Sequence, residues 1–134
     1  MRYMFLIYKK EEAPISGDDR EKSIAAHCAV IEDAIEQGVF RAAEPLKPTS
    51  VSTTVRVRNG DLMMTDGPFA ETKEQLAGYY ILDCADLDEA LGWAARIPMA
   101  CNGIEGGIEV RPIQEVPVFE DLMQRALKTY VQNE

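Results

Sequence analysis

The chain reads as a two-layer α+β domain in which one sheet carries helices on one face. Three observations lead there: short apolar runs of strand length alternate with two segments of helical period; an Asn-Gly pair joins two alternating runs; and two of the runs are apolar on both faces. At 134 residues the chain fits a single domain, long enough to bury one core. A core of residues 1–116 and a helical extension of 117–134 are expected within that one domain.

Residues Tyr3 to Tyr8 are aromatic or aliphatic and are cut off by Lys9, Lys10, Glu11 and Glu12, the length and bounding of a buried strand. Pro14 and Gly17 make a turn. Asp18 or Asp19 caps a helix whose stripe is Ile24, Cys28, Ile31 and Ile35, ended by Gly38; Lys22, Asp33 and Gln37 lie opposite. Glu44 to Pro48, with two prolines, is a connection.

Val51, Thr53, Val55 and Val57 alternate with Ser52, Thr54, Arg56 and Arg58 up to Asn59-Gly60, and Leu62 to Thr65 resumes the pattern. Asn-Gly suits a type I′ turn, because both residues tolerate positive φ. A polar turn from Asp66 to Glu74 precedes a strand over Ala77 to Cys84. Asp86 and Glu89 are spaced as a capping box before Leu87, Ala90, Leu91 and Ala94, and Pro98 ends that helix. Ile108 to Ile113 supplies a last strand. After Pro117, the spacing of Phe119, Leu122, Met123, Ala126, Leu127 and Tyr130 predicts a C-terminal helix.

The order β, α, β-hairpin, β, α, β and a helical tail matches the split-βαβ, or ferredoxin-like, arrangement with an added hairpin and both helices on one face. Strands with a wet face alternate apolar with polar, yet Tyr3 to Tyr8 and Tyr79 to Leu82 do not, so the second face needs a cover. A homodimer packed sheet to sheet provides one. The competing cover is the C-terminal helix folded back over its own sheet.

Composition narrows the function. With 14 Lys and Arg against 23 Asp and Glu, the net charge of -9 argues against nucleic acid and anionic membranes, which reward a basic face. Cys28, Cys84 and Cys101 are odd in number and widely spaced, against a disulfide framework or thiolate zinc site; each is expected to be a small buried hydrophobe. The N-terminal run lacks the features of a signal peptide, and no stretch approaches the ~20 apolar residues of a membrane span. A cytoplasmic location follows as the expectation.

The segment Thr65-Asp66-Gly67-Pro68-Phe69-Ala70-Glu71-Thr72-Lys73-Glu74 resembles the signature of the DGPF-domain proteins, a branch of the YCII-related family. The likeness runs from Met1 to about Pro112 and includes Leu76-Ala77-Gly78-Tyr79-Tyr80, Trp93-Ala94-Ala95-Arg96-Ile97-Pro98 and Glu109-Val110-Arg111-Pro112. The resemblance implies a ferredoxin-like dimeric α+β barrel. In the smaller relatives a histidine of the first helix, paired with an aspartate, is the suspected active site. His27, in the stretch from Arg20-Glu21 to His27-Cys28-Ala29-Val30-Ile31, takes the histidine's role by resemblance. Asp66, the aspartate of the signature turn, is the choice for its partner. Members of the family also accompany sigma factors, which implies a regulatory partner as an alternative.

His27 is the single histidine, which removes multi-histidine metal sites and the HExxH type. On a helical wheel it falls at the flank of the apolar stripe. Two roles fit that position: a satisfied core histidine, or a general base with an ordinary pKa of about 6.5. The Asp66-Gly67-Pro68-Phe69 block likewise admits two accounts. It is a rigid turn whose Phe69 plugs a core gap, or a mount that fixes Asp66, and Glu71 beside it, at a pocket mouth. Gly106-Gly107 lacks the spacing of a phosphate loop. The expectation is a homodimeric enzyme that moves protons on a small organic molecule, isomerase- or lyase-like, through His27 and Asp66 without metal or organic cofactor. The rival is a noncatalytic ligand-binding or regulatory dimer.

Overall fold

The computed structural model describes residues 1–11, 17–98 and 105–133; the expectations for Pro14 and Cys101 lie outside them. A four-stranded antiparallel sheet in the order β2-β5-β1-β6 is built from β1 (Arg2–Lys10), β2 (Phe40–Pro45), β5 (Glu74–Asp83) and β6 (Gly106–Pro112). Helices α1 (Gly17–Glu36) and α2 (Leu87–Ala94) cross between its strands, and β3 (Thr53–Arg58) with β4 (Asp61–Asp66) forms a separate two-stranded ribbon. Helix α3 (Pro117–Gln132) closes the chain. The fold is a ferredoxin-like α+β arrangement.

Alternation along the strands sorts the two faces. Tyr3, Phe5 and Ile7 of β1 and Tyr80 and Leu82 of β5 point to the helices, where Val30 and Ala34 of α1, Ala90, Trp93 and Ala94 of α2, and Ile97 complete the core. Met4, Leu6, Tyr79 and Ile81 point the other way and are only half covered. Capping fixes α2: Asp86 Oδ1 accepts from the Glu89 amide at 2.9 Å, and the Glu89 carboxylate reaches back to the Ala85 amide at 2.7 Å.

Several expectations are corrected. Residues 40–45, partly read as connection, form an edge strand; its alanines, its irregular register at Arg41 and its terminal Pro45 hide the strand pattern, and an edge position tolerates all three. The hairpin forms as expected, with Asn59 φ at 53° and Gly60 φ at 82°, but it stands off from the sheet. In α1 the buried residues are Val30 and Ala34; of the expected stripe Ile31 packs partly buried against the core, while Ile24 and Ile35 are exposed. Cys84 is buried as expected, whereas Cys28 is exposed. Phe69 plugs no core gap: it is 69% exposed. Helix α3 forms over the expected residues yet buries none of them, so it does not cover its own sheet.

Gly78 is where β5 and the edge strand come closest. A Cβ there would sit 2.9 Å from the Glu44 carbonyl oxygen and 3.3 Å from the Pro45 Cα. Both obstacles are backbone, so only glycine lets this pairing form.

Candidate active site around His27

His27 is carried by α1 on the same side as Val30 and Ala34, three and seven residues before them. It therefore lies on the sheet-facing stripe and not at its flank. Opposite it, β5 presents Tyr80, which is 3% exposed. The two meet through polar atoms: His27 Nδ1 and the Tyr80 hydroxyl are 2.6 Å apart. A tyrosine buried among aliphatic side chains needs a partner for its hydroxyl, and the chain's one histidine supplies it.

The other ring nitrogen is free. Nε2 has no hydrogen-bond partner among the described residues, and no buried side-chain nitrogen or oxygen among them lacks one, so Nε2 faces solvent. The ring thus reaches inward with one nitrogen and outward with the other. Burial, and secondarily the positive charge of Lys9, hold the His27 pKa below its ordinary value of 6.5, which leaves the imidazole neutral at pH 7. Burial, with the Cys28 charge adding to it, pushes the Tyr80 phenol up to about 12, so it keeps its proton. When Nδ1–H donates to the Tyr80 oxygen, the Nε2 lone pair points outward as a base.

Lys9 continues the helix-facing alternation of Tyr3, Phe5 and Ile7, and among the described residues it forms no ion pair. It is a partly covered cation beside a neutral imidazole. No group of three or more His, Cys, Asp or Glu side chains among the described residues is arranged to hold a metal ion.

Asp66 lies elsewhere. It ends β4, paired in register with Thr53, and is exposed; within one chain it makes no hydrogen bond or ion pair to His27. The signature turn that follows it is tied to the ribbon. The Gly67 amide donates to the Ser52 oxygen at 2.9 Å, Thr54 Oγ1 to the Gly67 oxygen at 2.7 Å, and Arg56 covers the Phe69 ring at 4.4 Å. Gly67 has φ of 105°, a conformation only glycine adopts without strain. Two open grooves mark the described surface, one along α3 and one of about 500 Å³ between Tyr8, Lys10, Thr72, Lys73, Glu74 and Glu105. Neither is lined by His27 or Asp66.

The YCII-related domain matches residues 1–117, which reaches the first residue of α3. The chain belongs to the YCII-related family. An uncharacterised protein of Rhizobium meliloti (strain 1021) is 40% identical to this YCII-related chain over 115 residues, covering 84% of the chain and 92% of the relative. The matched span contains the sheet, α1 with His27, the ribbon and Tyr80, so the whole candidate site belongs to the shared domain. Tyr80 escaped sequence reasoning because a tyrosine in an apolar strand reads as core. The signal that could have found it is its even spacing with Leu82 and Cys84, which puts its hydroxyl on the face that meets the His27 helix.

Proposed function

We propose that this protein is a small homodimeric enzyme that moves a proton on a small organic anion, with His27 Nε2 as the acid-base group. The observation that carries the proposal is the divided histidine: Nδ1 held by Tyr80 at 2.6 Å, Nε2 open to solvent. Holding one nitrogen fixes ring orientation, which a proton-transferring imidazole needs, and the tautomer with Nδ1–H donating to the hydroxyl oxygen leaves the Nε2 lone pair as the base. A pKa depressed below 6.5 makes the ring a base at neutral pH and lets it return the proton readily. Tyr80, in place of Asp66, is the orienting group within one chain. Lys9 gives the substrate class, since a cation whose charge reaches the imidazole favours a carboxylate, phenolate or enolate beside the base. An isomerase- or lyase-like step needs no more than this base and a charge to steady the anion.

The apolar open face of the sheet, with Leu6, Tyr79 and Ile81 half covered, supports packing against a second copy. The Asp66-Gly67-Pro68-Phe69 block supports assignment to the DGPF branch of the family, and three widely spaced cysteines without a disulfide pattern support a cytoplasmic location. Among the described residues no helix is long and apolar enough to cross a membrane.

The experiment is a screen of small carboxylates, phenols and β-keto acids for solvent deuterium incorporation by NMR, with His27→Ala and Tyr80→Phe alongside the wild type. The proposal expects exchange or turnover that His27→Ala abolishes and Tyr80→Phe lowers by roughly 10- to 100-fold. Ligands that bind wild type and His27→Ala equally, with no exchange by either, would make the protein a noncatalytic binding dimer of the kind that accompanies a regulator.

A further inference from the structure

The ribbon and α3 are each incomplete in one chain. Register puts Val55, Val57, Leu62 and Met64 on one face of the β3–β4 ribbon, as the pairs Val55 with Met64 and Val57 with Leu62, and these four are 55–72% exposed. Helix α3 carries a second stripe at helical spacing, in which Phe119, Leu122, Met123, Leu127 and Tyr130 are 44–66% exposed. A lone two-stranded ribbon and a lone helix of this length are both marginal in water. Each needs a surface to lie on.

The two arms spring from opposite ends of the sheet. The ribbon is rooted at the end of β1, where the Glu11 carboxylate takes the Thr49 amide at 2.8 Å. Helix α3 is rooted at the start of β1, where the Ile113 amide donates to the Arg2 oxygen at 2.9 Å and Arg2 pairs with Glu120 at 3.7 Å. A strand of nine residues spans ~30 Å, so the roots are a full strand length apart. Their apolar faces do not meet within the chain.

We infer that in the dimer α3 of each copy lies on the apolar face of the ribbon of the other. Two-fold symmetry makes this economical: when an end of one sheet packs against the opposite end of its mate, α3 of the first faces the ribbon of the second, and the same contact recurs at the other end. Together the two faces offer on the order of 800 Å² of apolar surface per copy, the share each partner brings to a standard protein interface. The inference takes its geometry from the sheet-to-sheet dimer proposed above, and the acid-base role of His27 does not enter it.

The test uses the full chain. Dimer dissociation constants are measured by sedimentation equilibrium for wild type, Leu127→Glu, Val57→Glu and the open-face variant Leu6→Asp. A photo-crosslinking benzoylphenylalanine at position 127 is then activated in a 1:1 mixture of ¹⁴N and ¹⁵N protein. Both arm variants should weaken the dimer at least tenfold, and mixed-isotope crosslinks should join α3 to ribbon peptides. Arm variants that dimerise like wild type, or crosslinks confined to peptides of one isotope, overturn the inference and leave the sheet-to-sheet dimer standing. A dimer that survives Leu6→Asp but not Leu127→Glu keeps the arms and sinks the sheet-to-sheet contact. A wild type that is monomeric at 100 µM, about the concentration used for such measurements, sinks both.

Discussion

The His27 and Tyr80 rings are 5.8 Å apart between centroids and inclined at 40°, while Nδ1 and the hydroxyl are 2.6 Å apart, so the pair touches through its polar atoms and does not stack. Geometry of this kind holds an imidazole in one orientation. Removing the hydroxyl by Tyr80→Phe keeps the packing and strips Nδ1 of its partner. Stability should fall by about 1 kcal/mol, read from urea midpoints at constant m-value. In the wild type, absorbance at 295 nm should reveal a tyrosine that titrates at about 12, and that step should vanish in Tyr80→Phe.

The depressed His27 pKa makes stability depend on pH. The unfolded histidine titrates near 6.5 and the folded one lower, so between these values the unfolded chain binds more protons. The contribution of His27 is full above pH 6.5, is lost as pH falls through the window, and levels off below the folded pKa. Thermal melts from pH 7.5 to 5 should show this loss in wild type, and His27→Gln should lack that part of it.

Lys9 lowers the His27 pKa less than burial does. Lys9→Met should therefore raise it and still leave it below 6.5, as followed by the His27 Hε1 resonance. No movement on substitution would remove Lys9 from the site.

Gly78→Ala puts a Cβ 2.9 Å from the Glu44 carbonyl oxygen, against backbone that cannot swing aside. The expected cost is about 1–3 kcal/mol, with β2 loosened from β5. Hydrogen exchange should quicken at the Leu46 amide, which donates to the Ala77 oxygen, well before the β1 amides change.

Arg56 covers the Phe69 ring at 4.4 Å on an exposed surface. Arg56→Ala should cost under about 1 kcal/mol in global stability. Its visible effect should be faster exchange within residues 53–67, leaving His27 chemistry intact. A loss of activity equal to that of His27→Ala would instead tie the signature turn to the site.

Much of this fold was legible from local rules. Asn59-Gly60 specified a type I′ turn because both residues accept positive φ, and the pair adopts φ of 53° and 82°. Asp86 and Glu89 specified the start of α2 because their spacing closes a capping box. Strand β2 was hidden because Phe40 to Pro45 owes its extended form to pairing with β5, and an edge strand with alanines and a proline carries little pattern of its own. The helical wheel of α1 misled for a related reason. Two of its isoleucines, Ile24 and Ile35, stay exposed, Ile31 packs at the edge of the core, and the residues the sheet buries are Val30 and Ala34.

By itself the sequence determined the α+β class, the two crossover helices, the hairpin and the single histidine on the first helix, since these follow from period, capping and turn chemistry within a few residues. Tertiary structure alone decided what His27 meets. The register of β5 against β1, and the seating of α1 on Val30 and Ala34, bring the Tyr80 hydroxyl to Nδ1 from 53 residues away and leave Asp66 on a ribbon outside the sheet. A contact between distant residues depends on how whole elements pack, and local spacing carries no record of that.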